Sequence, residues 1–150
     1  MYWDWDPSLE TGIDAIDDQH RRIVGYINDM HDNIERRNRA VLIGIIDNMI
    51  TYTLTHFAFE EGLMARASYP ALAEHKLVHE SFAKRMRYHK KQFHAGKDVT
   101  RQVMGDLQVW LISHIKEDDR DYGPLVREML AREAVPEKSW VKKTVERMFC

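Results

Sequence analysis

The chain has 150 residues, 22 basic and 24 acidic side chains and a formal net charge of -2. A chain of this length forms one domain that buries roughly 68–70% of the surface its unfolded form exposes, so it folds without a disulfide or other staple. The charges are mixed with no long block of one sign, which argues against nucleic acid or an anionic membrane as partner; the longest aliphatic run, Val41 to Ile46, is too short to span a bilayer, and the polar start MYWDWDPSLE lacks the layout of a signal peptide.

The lone cysteine, Cys150, has no internal partner, which fits a reducing compartment and a cytoplasmic protein. In chain order the first feature is an arm with Trp3 and Trp5 among acidic residues, expected to fold back over one end of the helices that follow. Apolar residues then recur at three- and four-residue steps in four windows, the helical period, and strand-like alternation is absent. The first window carries Ile16, His20, Ile23, Val24, Ile27, Met30 and Ile34 and closes in the charged segment Glu35 to Arg39. The second runs from about Val41 to Met64, with Leu42, Ile45, Met49, Tyr52, His56, Glu60 and Leu63 on one stripe.

Pro70 suits the start of the third window, where its missing N–H costs nothing, and Leu72, His75, His79, Phe82, Met86 and Phe93 follow before Gly96 stops the helix. The fourth window carries Val103, Leu107, Trp110, Leu111 and His114 and is expected to end before Gly123 and Pro124. Four helices with short connections favour antiparallel neighbours. The expected fold is therefore all-α, an up-down-up-down four-helix bundle with an N-terminal arm. A C-terminal extension follows, its helical signal running from Pro136 to Cys150. In it Trp140, Val141, Val145, Met148 and Phe149 alternate with lysines, as in a short basic amphipathic helix that docks on its own bundle or on a partner, including a second copy.

All four stripes bring metal-ligand types toward one interior: His20, then His56 with Glu60, then His75 with His79, then His114 with Asp119. Imidazole suits iron, zinc and copper, and carboxylates bridge such ions, so the set fits a pair of transition-metal ions. Positions four apart lie one above the other on a helix, so His56 and Glu60 share a face, as do His75 and His79. His114 and Asp119 are five apart, a turn of about 140° on a regular helix. The spacing predicts that the helix ends or unwinds between Ile115 and Asp118. Without a partner a buried histidine is costly, and several buried together need something to satisfy them all.

The pattern His20 after Asp-Asp-Gln, His56-Phe-x-x-Glu60-Glu, His75-x3-His79 and His114-x4-Asp119 resembles that of the hemerythrins, in particular the single-domain bacterial ones, over roughly residues 1 to 125. This resemblance implies a non-haem di-iron centre in a domain of residues 1–125, with 126–150 as a C-terminal extension. Glu60 and Asp119 bridge the irons together with a hydroxide or oxide, His75, His79 and His114 complete one iron, and His20 and His56 bind the other. One coordination position then stays open for reversible binding of dioxygen. Its implied use is oxygen storage, delivery or sensing; the alternative is an enzyme that reduces peroxide or nitric oxide with the same irons. Leu111, Trp110, Ile115, Phe57 and Phe59 are the candidate walls of the oxygen pocket. No catalytic acid or base stands out beside the ligands, which favours carrying over catalysis.

Plainer roles apply elsewhere. His31, His89 and His94 have no ligand spacing, with His89 on the apolar side of the third helix and the other two at the surface. The eight methionines read as core filler. The ligand set lacks the Glu-x-x-His repeat of ferritin-like proteins, and His75-Lys-Leu-Val-His79 lacks the glutamate of a zinc protease helix.

Overall fold

Four long helices carry the molecule: α1 (Asp14–Ile34), α2 (Arg39–Arg66), α3 (Leu72–His94) and α4 (Thr100–His114), packed antiparallel in sequence order. This computed structural model describes residues 1–133 and 135–149, and the side chains of 134–140 and 150 lie outside the description, Trp140 and Cys150 among them.

The helix ends follow from local chemistry. Ile13 offers α1 no side-chain cap. Instead the buried carboxylate of Asp17 accepts hydrogen bonds from Thr11 N (2.7 Å), Thr11 Oγ1 (2.8 Å) and Gly12 N (3.2 Å), tying the incoming loop to the first turn. Gly12 supplies the positive φ of 81° that this loop needs. The Asn38 side chain accepts from Val41 N and caps α2. At the end of α3, Gly96 (φ 101°) donates to Phe93 O and Lys97 donates to Gln92 O, the paired bonds of a Schellman stop. α2 ends the same way with Ser68 at φ 56° in the glycine position. Pro70 lies in the turn ahead of α3, not in its first turn, which begins at Leu72.

The fourth helix departs from expectation twice. It does not unwind after Ile115; residues Ile115–Asp119 form a π turn, and the chain continues directly into α5 (Arg120–Arg132) through Gly123 and Pro124. A proline breaks a helix by withholding an N–H from the hydrogen-bond ladder. Here Pro124 nevertheless lies inside α5, one turn after the π turn. The arm also lies elsewhere than expected. Trp3 N donates to Asn28 Oδ1 (2.8 Å), Asn28 Nδ2 donates to Trp3 O (2.9 Å), and Tyr2 pairs with Gln108 (3.1 Å). These contacts lay the arm along the flank of α1 and α4 and not over an end of the bundle.

Packing divides the interior into two apolar clusters. The larger holds Ile23, Ile27, Met30, Ile46, Met49, Phe57, Phe82, Phe93, Leu107, Leu111 and Ile115, with Trp3, Trp5 and Trp110 against it. The smaller holds Ile13, Ile16, Phe59, Leu63, Met64, Tyr122 and Val126. The last helix, α6 (Val135–Phe149), lies against α2 and adds Val141, Val145, Met148 and Phe149 to the smaller cluster. The Phe149 ring sits 5.0 Å from Tyr52 and 6.1 Å from Phe59. Among the described residues α2 alone is long and apolar enough to cross a bilayer by length and composition. Its Leu42, Ile46, Met49, His56 and Glu60 are buried in the bundle instead.

Candidate metal centre

Between the two clusters lies a polar core. α1 contributes His20, α2 His56 and Glu60, α3 His75 and His79, and α4 with its π turn His114 and Asp119; none of the seven is more than 4% exposed. The structure brings all of them together. His75 Nε2 is 3.1 Å from His79 Nε2, which is 3.0 Å from His114 Nε2. Asp119 spans the site, with Oδ1 3.0 Å from His114 Nε2 and 3.5 Å from His75 Nε2, and Oδ2 3.4 Å from His20 Nε2. Glu60 Oε1 lies 2.9 Å from His56 Nε2 and 3.4 Å from His79 Nε2. Each carboxylate thus faces both a three-histidine half and a two-histidine half.

The π turn makes the last pair possible. Hydrogen bonding from i to i+5 widens the turn, so Asp119 returns over His114 instead of pointing about 140° away as on a regular helix. Asp118 benefits as well. Its Oδ2 lies 2.9 Å from His114 Nδ1 while Asp119 faces Nε2, so one imidazole is held from both nitrogens.

Three observations fit metal ions to this centre. His79 Nδ1 is bonded to Glu61 Oε2 (2.9 Å) and His114 Nδ1 to Asp118, so in each ring the proton belongs on Nδ1 and a lone pair is left on Nε2. Two such nitrogens only 3.0 Å apart, with His75 Nε2 3.1 Å from that of His79, repel one another unless a cation lies among them. With metal–nitrogen bonds of about 2.1 Å, adjacent corners of an octahedron are about 3 Å apart, the spacing seen. Second, His20 Nε2, His56 Nε2, Glu60 Oε1 and both oxygens of Asp119 are buried without a hydrogen-bond partner. An unmet buried polar atom costs about 1–3 kcal/mol, and here only mutual ion-pair contacts of 2.9–3.5 Å offset that cost.

Third, the charges ask for a cation. Burial opposes a charge on His114, but Asp119 and the bond to Asp118 outweigh it and push the ring up to about 10. With no metal, the two buried carboxylates would recruit a proton there. Burial opposes charge on Glu60 too, yet His56 and His79 hold it well below the usual carboxylate range. His56 and His75 are pushed down, chiefly by burial.

The five pocket candidates divide between the two apolar clusters. Phe57 stacks on His79 (4.0 Å between ring centres), Trp110 stacks on His114 (4.3 Å), and Leu111 and Ile115 belong with Phe57 to the larger cluster. Phe59 lies in the smaller cluster against Phe149. Phe57 and Trp110 therefore rest on the three-histidine half. Neither His31 nor His94 approaches the centre: His31 stacks on Tyr2 (4.4 Å) and His94 pairs with Asp47 (3.0 Å), both exposed. His89 sits at the boundary, paired with Asp106 at 2.7 Å.

Four residues of the centre carry no spacing signal. Gln19 Oε1 is 2.6 Å from His56 Nδ1, Glu61 and Asp118 stand behind His79 and His114, and the Tyr122 hydroxyl donates to Glu60 Oε2 at 2.5 Å. Gln19, Glu61 and Asp118 each directly adjoin a ligand in sequence, which is the signal that was there to read.

The Hemerythrin HHE cation binding domain family matches residues 11–126. A bacteriohemerythrin of Pseudomonas aeruginosa (strain LESB58) is 40% identical over 148 residues, covering 97% of this chain and 96% of its own. One from Stenotrophomonas maltophilia (strain R551-3) is 41% identical over 147 residues, covering 97% and 96%. A hemerythrin from Sipunculus nudus is 32% identical, covering 81% of this chain and 92% of its own. A crystal structure of a wild-type hemerythrin superposes with a TM-score of 0.79 at 30% identity, covering 84% of this chain and 98% of that one.

Proposed function

Because the chain belongs to the hemerythrin family, we propose that it binds dioxygen reversibly at two iron ions, for oxygen storage, delivery or sensing. His75, His79 and His114 would hold one iron and His20 and His56 the other, with Glu60 and Asp119 available to both. When bound, the pair supplies the two electrons that reversible oxygen binding requires. The observation that carries this reading is the set of five buried donor atoms that make no hydrogen bond, from four residues on two helices and the π turn, all facing one centre.

The chain's own residues do the rest. Glu61 and Asp118 fix the rings of His79 and His114 in the tautomer that offers Nε2. Tyr122, pushed well above the usual phenol range by burial and by the charges of Asp119 and Glu60, keeps its proton and steadies Glu60. Leu111, Ile115, Phe57 and Trp110 form an apolar wall that keeps water and protons away. Catalysis on a substrate wants a free acid or base. Glu61, Asp118 and Tyr122 are each committed to a ligand, which supports carrying over peroxide or nitric oxide reduction. Residues 1–125 form the metal-binding unit in this reading, and 126–150 an extension that packs back on it through Phe149.

Metal analysis, with absorption spectra under argon, in air and under argon again, tests the proposal. Two irons per chain and a visible band that appears in air and disappears under argon are expected. One iron, or a band that does not reverse, refutes it.

A further inference from the structure

The two halves of the centre differ in what stands behind their imidazoles. In the three-histidine half, His79 Nδ1 and His114 Nδ1 each face a carboxylate at 2.9 Å, Glu61 and Asp118. The two-histidine half is poorer. His56 Nδ1 faces the neutral amide oxygen of Gln19 at 2.6 Å, and His20 Nδ1 is buried without a partner among the described residues. Donor number runs the same way. Glu60, His75, His79 and His114 form one group of converging donors, and His20, His56 and Glu60 form the other, so Glu60 is the member in common.

A carboxylate behind an imidazole raises the electron density on the ring's far nitrogen and fixes its orientation, both of which strengthen a metal bond. An amide carbonyl does this less. A ring with no partner gets neither benefit and must be held by packing alone, which for His20 includes Trp5, 6.5 Å away.

We propose that the two ions are held unequally and exchange in order: the three-histidine half fills first and empties last, with Glu61 and Asp118 as the positioning residues that set the difference. The inference rests on the two-iron reading given above. A chain carrying one ion, at His75, His79 and His114, is then the intermediate of both assembly and decay. Glu61 and Asp118 are suited to such a part because their side chains, 25% and 35% exposed, tolerate change better than the buried ligands.

The test uses the two-iron ferrous protein under argon with excess of a colour-forming iron(II) chelator, recording iron released per chain over time. Two phases are expected, one iron in each. Glu61→Gln and Asp118→Asn should each speed the slow phase by about 10–100-fold and leave the fast phase unchanged. Gln19→Glu should slow the fast phase. A loosened fold would instead hasten both phases together, and that outcome overturns the proposal, as does release of both irons in a single phase. Protein that never takes up two irons overturns the underlying reading and this inference with it; protein that takes up two and releases them together overturns this inference alone.

Discussion

The hydroxyl of Tyr122 donates to Glu60 Oε2 across 2.5 Å, linking the helix beyond the π turn to the carboxylate that both halves of the metal centre share. Both residues are fully buried. Replacing Tyr122 with Phe removes the donor and leaves a buried carboxylate oxygen unmet, at a cost of about 1–3 kcal/mol. Chemical denaturation of the metal-loaded protein should show that loss together with weaker metal retention. An unchanged midpoint would mean that the hydrogen bond contributes nothing.

Asp119 and Glu117 lie in the same π turn, but Asp119 points inward between His114 and His20, while Glu117 is exposed. Asp119→Ala should lower the iron content below two per chain. Glu117→Ala should leave it intact, within about 0.5 kcal/mol of wild-type stability. Equal iron content in the two variants would contradict the assignment of Asp119 as a bridge.

Acid should weaken the fold and the metal site together. Burial holds His56 and His75 below the ordinary imidazole value, so between their folded values and about 6.5 the unfolded chain binds more protons than the folded one. The stability these rings contribute is complete above that window and is lost as pH falls through it. Protons also compete with metal for the same nitrogens. Denaturation midpoint and bound iron should both fall from about pH 7.5 to about pH 5.5, whereas a flat profile would show that these rings are not held neutral. In metal-stripped protein His114 acts in the opposite sense. Pushed up to about 10, it contributes stability that is complete below about 6.5 and is lost as pH rises through about 10.

Leu111, 1% exposed and three residues before His114, packs in the larger apolar cluster on the same helical face as that ligand and is the pocket wall we propose. Leu111→Ser admits water, so the oxygenated protein should lose its visible band to irreversible oxidation faster than wild type. Band decay in air measures this directly, and equal lifetimes would remove Leu111 from the pocket.

Phe149 closes the smaller cluster against Tyr52 and Phe59. Phe149→Ala should destabilise by about 1–3 kcal/mol, less than a fully buried phenylalanine because its ring is only partly covered. Thermal melting gives the value, and no change would show that α6 does not hold the bundle.

The pairs that share a helical face, His56 with Glu60 and His75 with His79, were legible because their period is that of the helix that carries them. The five-residue step from His114 to Asp119 announced an irregularity without revealing its form. Unwinding and widening both satisfy the spacing, and only the hydrogen-bond register tells them apart. Phe57 and Phe59 are two residues apart, about 200° around the helix, so they could not both face one pocket. That geometry was available in the sequence. Gln19, Glu61 and Asp118 were harder, since a neighbour of a ligand points about 100° away from it and reaches a ring only at its outer nitrogen.

The widened turn also rephases everything downstream of it. Tyr122 and Val126 face inward because they follow the phase of Asp119, not that of His114, and both would swing toward solvent if the turn were regularised. Anyone transplanting these seven donors on to an idealised bundle would have to import the irregular segment as well. The straight helix that designers prefer would break the site and the floor beneath it in one step.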